Sequence, residues 1–372
     1  MFGDSVALAN NLWMVVGDLP ADVPNTLVYR AGDRLYLMDS GMGSTMRAAI
    51  LRVLREVGPV QSFTLLNSHA HADHVGNNDL IHLVEARQTH HYLSEVGLAR
   101  LDARSYFTDQ FSRLSALYDP ATGYQARRLL WRSVGVVRDL VAAFVGERRA
   151  LELFFALYLR KLQFQLLRTS RETIQPYETL PRQKLLLGGV PWTGWSFGED
   201  EVWVLEARGH TPDEVLFYLP EHQVLYTGDL TFPLFPTFPD SNGAVTQEML
   251  RKCRAMVSAG AIRLLIDGHH QQVYRGQDEI IAFLGTLITE QEHFQAVLRE
   301  ILEEHEGLTV AQVYTHLRQR QDDPVVRHYL SLEFPFLPMP LQQIIAVSLL
   351  QMGYEAKGPR RKKRFYRPAR TA

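Results

Sequence analysis

Between residues 5 and 87 the chain alternates short apolar runs with one helical repeat. Residues 26–29 (Thr-Leu-Val-Tyr) and 35–38 (Leu-Tyr-Leu-Met) read as strands covered on both faces. From 45 to 57 the apolar residues Met46, Ala49, Ile50, Val53, Leu54 and Val57 recur at three- and four-residue steps. That spacing predicts one buried helix face, which Gly58-Pro59 terminates. Residues 63–66 form another β-like run closed by Asn67-Ser68, with a helix expected shortly after. Later strands are predicted over 201–207, 223–226 and 262–266, and a helix over 249–256.

The pattern changes between 88 and 187, where a helical insertion is expected. Residues 124–171 hold ten Lys or Arg against Asp139, Glu147 and Glu152. Leu129, Leu130, Val136, Val137, Leu140, Val141, Phe144, Leu153, Phe154, Leu157, Tyr158 and Leu162 recur at helical steps, predicting at least two amphipathic helices bent near Gly135 and Gly146. Such helices serve as a cap on the main body, as a dimer contact, or as a membrane-surface or anion-attracting face. Trp192 and Trp195 close the region, either lining an entrance or fixing a buried loop.

A third segment begins at 286. Helices are predicted over 287–304, over 308–314 with Thr309 at its start, and over 340–352 after the turn-rich 334–338. Residues 353–357 and 364–366 then suit a hairpin across Gly358-Pro359. Three helices and a hairpin look like a winged helix. The last 16 residues hold eight Lys or Arg and no acid, which suits a solvated wing or a contact with nucleic acid.

At 372 residues the chain can form one sizeable domain with one or two smaller ones. Its single cysteine, Cys253, rules out an internal disulfide and fits a reducing compartment. Placed in a predicted helix, Cys253 reads as a packed residue. The N-terminus lacks a secretory pattern, and no run of about 18 apolar residues exists, so no membrane span is expected and the cytoplasm is the default location. The net charge of −2 gives the whole chain no bias toward nucleic acid.

The chemistry concentrates in His69-Ala70-His71-Ala72-Asp73-His74. Neutral imidazole and carboxylate suit borderline divalent metals. His69 and His71 stand close enough to chelate one ion from one loop, while Asp73 and His74 can reach a second. Gly209-His210-Thr211, Thr227-Gly228-Asp229 and Gly268-His269 each follow a predicted strand. In each, glycine permits a sharp turn before a ligand-type residue.

This pattern resembles the metallo-β-lactamase superfamily, an α/β fold built as an αββα sandwich, over about residues 5–87 and 188–285. The resemblance implies a dinuclear site. His69, His71 and His210 would hold one metal; Asp73, His74 and His269 would hold the other; Asp229 would bridge. Asp39, in Asp39-Ser40-Gly41, would orient a metal-binding histidine. Two departures stand out: Asp267 occupies the place where many relatives have Pro, and His270 directly after His269 offers a second candidate for the last ligand. The divisions expected are 1–87 with 188–285 as the metallo-β-lactamase-like body, 88–187 as a helical cap, and 286–372 as a winged-helix-like domain.

The implied activity is hydrolysis, in which a hydroxide bridging two divalent ions attacks an electrophilic carbon or phosphorus, with Asp73 carrying a proton. Zn²⁺ is the first choice and Mn²⁺ or Fe²⁺ remain open, since no thiolate is present; His71 argues against the oxygen-reducing di-iron branch. A neutral chain with an apolar cap points to an ester, thioester or lactone of a hydrophobic small molecule. The alternatives are a nuclease or phosphodiesterase gripping nucleic acid through the basic C-terminus, and a regulator with vestigial metals, against which all seven ligands argue. A homodimer could form through the insertion or the C-terminal segment.

Overall fold

The computed structural model describes residues 3–17, 23–118, 140–161, 173–232, 236, 238–332 and 340–367. The predicted apolar positions Leu129, Leu130, Val136, Val137 and Leu162, the bend at Gly135 and the turn at 334–338 lie outside them. Two compact units emerge: Met1–Ala103, Leu159–Phe232 and Ala244–Gly285 form the first, and Arg104–Tyr158, Pro233–Gly243 and Thr286–Ala372 the second.

The first unit is an αββα sandwich. Its first sheet runs in sequence order: β1 (Ser5–Ala9), β2 (Leu12–Val15), β3 (Thr26–Ala31), β4 (Arg34–Met38), β5 (Val60–Leu66), β6 (Ala86–Leu93) and β7 (Ile174–Pro176). The first four strands pair antiparallel, and β4 through β7 pair parallel. The second sheet comprises β8 (Gln183–Leu187), β9 (Val190–Phe197), β10 (Val202–Glu206), β11 (Val215–Leu219), β12 (Val224–Tyr226), β13 (Leu264–Ile266) and β14 (Val273–Arg275), again in sequence order. Its pairs are antiparallel except β12 with β13.

Side-chain alternation on β4 shows how the layers form. Tyr36 and Met38 enter the core between the sheets with Leu27, Trp195, Phe217 and Tyr226. Leu35 and Leu37 face the other way, onto α1 (Gly43–Val57). All six apolar residues predicted for that helix are buried. Gly58 ends it with φ +79°, its N–H reaching the Leu54 carbonyl at 3.2 Å. On the outer face of the second sheet lies the helix Gly243–Ser258, where Trp192 Nε1 donates to the Met256 sulfur at 3.0 Å. Cys253 is fully buried in this helix, its thiol pushed up to about 12 by burial, which suits packing.

The segment 88–187 begins and ends with sandwich strands, β6 through β8, so its described helical part is narrower than the composition suggests. That part is the short helix Glu95–Leu98, the helix Ala103–Leu117, helical residues 140–145 and the helix Glu147–Lys161. In the second unit, Phe155 stacks against Phe107 at 5.6 Å between ring centroids and lies 5.1 Å from Phe111.

The helix Gly276–Glu304 runs 29 residues straight through position 286. After it, Thr309 caps the helix Val310–Gln319 in a capping box with Gln312. Asp323 caps Pro324–Ser331, a helix the apolar pattern did not announce. The helix Pro340–Gln351 follows, and then β16 (Glu355–Lys357) and β17 (Arg364–Tyr366) make the expected hairpin. β15 (Leu308–Thr309) pairs with β17 to complete a three-stranded sheet.

Candidate metal centre

All seven predicted ligands converge in the first unit, and each is buried. β5 stops at Leu66 because Asn67 and Ser68 turn the chain under the second sheet, where the Ser68 carbonyl accepts from Val215 N–H at 2.9 Å. His69 follows; His71 precedes the one-turn α2 (Ala72–Val75), which carries Asp73 and His74. His210 leaves β10, Asp229 leaves β12 and His269 leaves β13. β12 and β13 are parallel neighbours, so their C-terminal loops lie side by side, joined by Gly268 N–H to the Gly228 carbonyl at 2.9 Å. A Cβ on Gly268 would stand 2.6 Å from that carbonyl oxygen and 2.9 Å from Asp229 Oδ1. Glycine is required there.

The ligand atoms form two sets that share Asp229: His69, His71, His210 and Asp229, and Asp73, His74, Asp229 and His269. Within each set they lie within 4.8 Å of one another. The two oxygens of Asp229 divide between the sets. Oδ2 lies 3.7 Å from His69 Nε2 and 3.4 Å from His210 Nε2. Oδ1 lies 3.0 Å from His74 Nε2 and 3.2 Å from His269 Nε2. Asp73 Oδ2 lies 3.4 Å from both of those second-set nitrogens. His71 approaches His210 Nε2 through Nδ1, at 3.1 Å. His270 is outside both sets, its Nδ1 turned to Asp267 at 3.1 Å.

The electrostatics fit cations. Burial drives His71 down to about 3, holds His69 well below its ordinary value and lowers His210, so three neutral imidazoles face one point. Burial also disfavours charge on His74 and His269, but Asp229 and neighbouring carboxylates outweigh it and raise both. Burial opposes the ionised forms of Asp73 and Asp229, yet His74 and His269 hold both low. His69 Nε2, His74 Nε2 and Asp229 Oδ1 are buried without a hydrogen-bond partner. Unpartnered buried lone pairs aimed inward are what divalent cations satisfy.

A ring of other groups holds the ligands. Asp39, at φ +57°, accepts from Ser68 N–H at Oδ1 (2.7 Å) and lies 2.7 Å from His74 Nδ1 through Oδ2. Ser68 Oγ and the Tyr226 hydroxyl also reach that Oδ2, at 2.7 and 2.9 Å. The carboxylate therefore favours a proton on His74 Nδ1 and leaves Nε2 free for a metal. Asp39 takes the place the sequence pattern suggested.

Sequence reasoning missed four other positioning groups. Asp213 accepts from Ala70 N–H at 2.7 Å, fixing the His69–His74 loop. Glu214 accepts from Gly209 and His210 N–H at 3.1 and 2.9 Å; burial pushes its carboxyl up to about 8. Asp267 accepts from His269 and His270 N–H, both at 2.7 Å, and from the Thr231 hydroxyl. The readable signal was an acidic residue beside a ligand loop. Phe232 was also missed; its ring sits 5.0 Å from that of His269 and 6.0 Å from that of His210, edge to face.

Residues 19–156 match the family described as the Metallo-beta-lactamase superfamily. No curated protein matches the chain. Among solved structures, the chain is similar to a metallo-beta-lactamase family protein from Thermus thermophilus, with a TM-score of 0.54 and 19% identity over 97% of this chain and 100% of that one. It is also similar to a beta-lactamase domain protein from Burkholderia ambifaria, with a TM-score of 0.60 and 17% identity over 99% of this chain and 95% of that one. The matched segment contains the His69–His74 loop, and the fold agrees with those of the two solved structures along nearly the whole length.

Proposed function

We propose that the protein is a dinuclear metal-dependent hydrolase acting on an ester, thioester or lactone of a rather hydrophobic small molecule. The observation that carries the dinuclear reading is Asp229, whose two oxygens face two different histidine sets. His69, His71 and His210 would hold one cation, and Asp73, His74 and His269 the other. An all-nitrogen and oxygen donor set suits Zn²⁺ first, with Mn²⁺ or Fe²⁺ as alternatives. Cations bound there would supply Lewis acidity, lowering the pKa of water toward neutrality and polarising the scissile carbonyl.

The chain's own residues supply the rest. The Asp73 side chain is 12% exposed against 5% for Asp229, so it is the carboxylate better placed to carry a proton to the leaving group. Phe232, against ligands of both sets, gives the site an apolar wall that favours a hydrophobic acyl group.

The alternative, nucleic-acid cleavage with a winged-helix-like C-terminal grip, has less support. Arg360 and Arg361 pair with Glu147, Lys357 with Glu355 and Arg367 with Glu303, which spends much of that segment's positive charge internally.

The test is elemental analysis of protein purified without chelator, joined to a panel of aryl esters, acyl-thioesters, lactones and phosphodiesters. Two metal equivalents and turnover of a carboxylic ester, thioester or lactone are expected. One equivalent or none after reconstitution overturns the dinuclear reading, and turnover of phosphodiesters alone overturns the substrate class.

A further inference from the structure

We propose that His91 is a positioning residue that, through Asn67, holds the His69–His74 loop in its ligating shape before any ion binds. The proposal rests on the reading of the metal centre above for what the loop holds, and on buried hydrogen bonds for how it is held. The loop carries four of the seven candidate ligands, two in each set. Asn67 stands at its entry and is fully buried. The Asn67 side chain reaches across to the exit. Its Nδ2 donates to the His74 carbonyl at 3.3 Å and to Asn78 Oδ1 at 3.2 Å, and its Oδ1 accepts from Asn78 Nδ2 at 2.8 Å. The main chain is pinned as well: Asn67 N–H donates to the Tyr92 carbonyl at 3.0 Å, and the Asn67 carbonyl accepts from the Tyr177 hydroxyl at 2.9 Å. Both ends of the loop therefore close on one asparagine.

His91 approaches from β6, where it pairs with Leu65 of the parallel neighbour β5. Its Nε2 lies 2.8 Å from Asn67 Oδ1. The proton can be placed. The His74 carbonyl only accepts, so Asn67 must present its NH2 there, and the atom facing His91 is the oxygen. His91 Nε2 therefore donates, and Nδ1 keeps a bare lone pair, buried without a hydrogen-bond partner. Burial drives His91 down to about 3, so the ring stays neutral. A half-satisfied buried imidazole costs stability that an apolar side chain would not. What it supplies in return is the Nε2–H bond, one of the contacts that set the orientation of the Asn67 amide. A flipped amide would put its oxygen against the His74 carbonyl. A loop already ordered also binds its ions without losing conformational entropy at that moment.

The experiment compares the full chain with His91→Phe, which removes the donor, and His91→Gln, which keeps an amide N–H at similar reach. Hydrogen exchange of the 68–75 backbone amides is measured on metal-free protein, and ion release is followed by Zn²⁺ loading and chelator competition. His91→Phe should exchange these amides faster and release ions about tenfold sooner. Both ions should be affected, because the loop serves both sets. His91→Gln should restore most of both properties. In the metal-free parent, ¹⁵N spectra should show His91 as the Nε2–H tautomer, a reading that needs no variant to fold. Parent-like exchange and release in His91→Phe, a His91→Gln variant that behaves like His91→Phe, or an Nδ1–H tautomer overturns the proposal. A parent that binds fewer than two ions fails the dinuclear reading instead, and hydrogen exchange in the metal-free chain then decides the role of His91.

Discussion

Asp39→Asn tests whether the tautomer of one histidine controls half of the metal centre. Asparagine matches aspartate in size and tolerates the left-handed φ of +57° seen at this position, so the backbone has no reason to move. The amide can orient in only one useful way. Ser68 N–H can only donate, so the amide oxygen must take the Oδ1 position, 2.7 Å from that nitrogen. The amide NH2 then replaces Oδ2 and donates toward His74 Nδ1, now 2.7 Å away. Ser68 Oγ and the Tyr226 hydroxyl can rotate to accept, but His74 cannot adapt without moving its proton. That proton goes to Nε2, the atom aimed at Asp229 Oδ1 from 3.0 Å and needed as a metal ligand.

Loss of such a partner typically weakens metal binding about 10–100-fold, roughly 1.4–2.8 kcal/mol. His74 belongs only to the set with Asp73 and His269, so the loss should fall on one ion and spare the one held by His69, His71 and His210. Chelator competition followed by elemental analysis should show the parent releasing two ions late and the variant releasing its first much earlier. Release of both ions together, or a parent-like curve, would refute the tautomer argument.

Two further outcomes follow from the same geometry. Burial raises the Glu214 carboxyl to about 8, above its ordinary unfolded value, so the folded state holds the extra proton; this stabilisation is complete below the unfolded pKa and is lost as pH rises through about 8. In metal-free protein, urea unfolding from pH 5 to 8 should show the parent losing about 1.4 kcal/mol per pH unit relative to Glu214→Gln, and a difference that stays constant with pH would contradict it. Phe232→Ala should flatten the acyl-length dependence of kcat/KM, which a well-buried chain would raise about fourfold per methylene, while a slope equal to the parent's would remove Phe232 from the substrate wall.

The body of the fold was legible because its signals are local. The six apolar positions of α1 lie within twelve residues, and each predicted strand near a ligand appears within three residues of its expected bounds. The candidate ligands were legible for the same reason, since the His69–His74 run, His210, Asp229 and His269 each follow a strand in the sequence. Most of what supports them was not. Asp213 reaches Ala70 across 143 positions, a distance at which no periodicity speaks, whereas Asp39, 35 positions from His74, was expected there only through the family resemblance. No turn marks the division read at 286, and a single helix, Gly276–Glu304, continues through it. The helix Pro324–Ser331 did have a readable signal in Asp323-Pro324, an N-cap followed by proline in the first turn.

Asp267 shows how a departure from the family pattern can preserve its geometry. Proline, where many relatives carry it, would restrict the backbone through its ring. Here the Asp267 carboxylate holds the N–H groups of both His269 and His270, while the Asn25 side-chain amide donates to the carbonyls of Asp267 and His270 at 2.8 and 2.6 Å. The turn is thus fixed by hydrogen bonds at both ends. The same carboxylate also draws the His270 ring to itself, and His270 stands outside both ligand sets. Through Thr231, whose hydroxyl meets Asp267 on one side and Thr227 on the other, it ties the His269 loop to the loop carrying Asp229. A residue that breaks the motif therefore connects His269 to Asp229, the carboxylate both sets share.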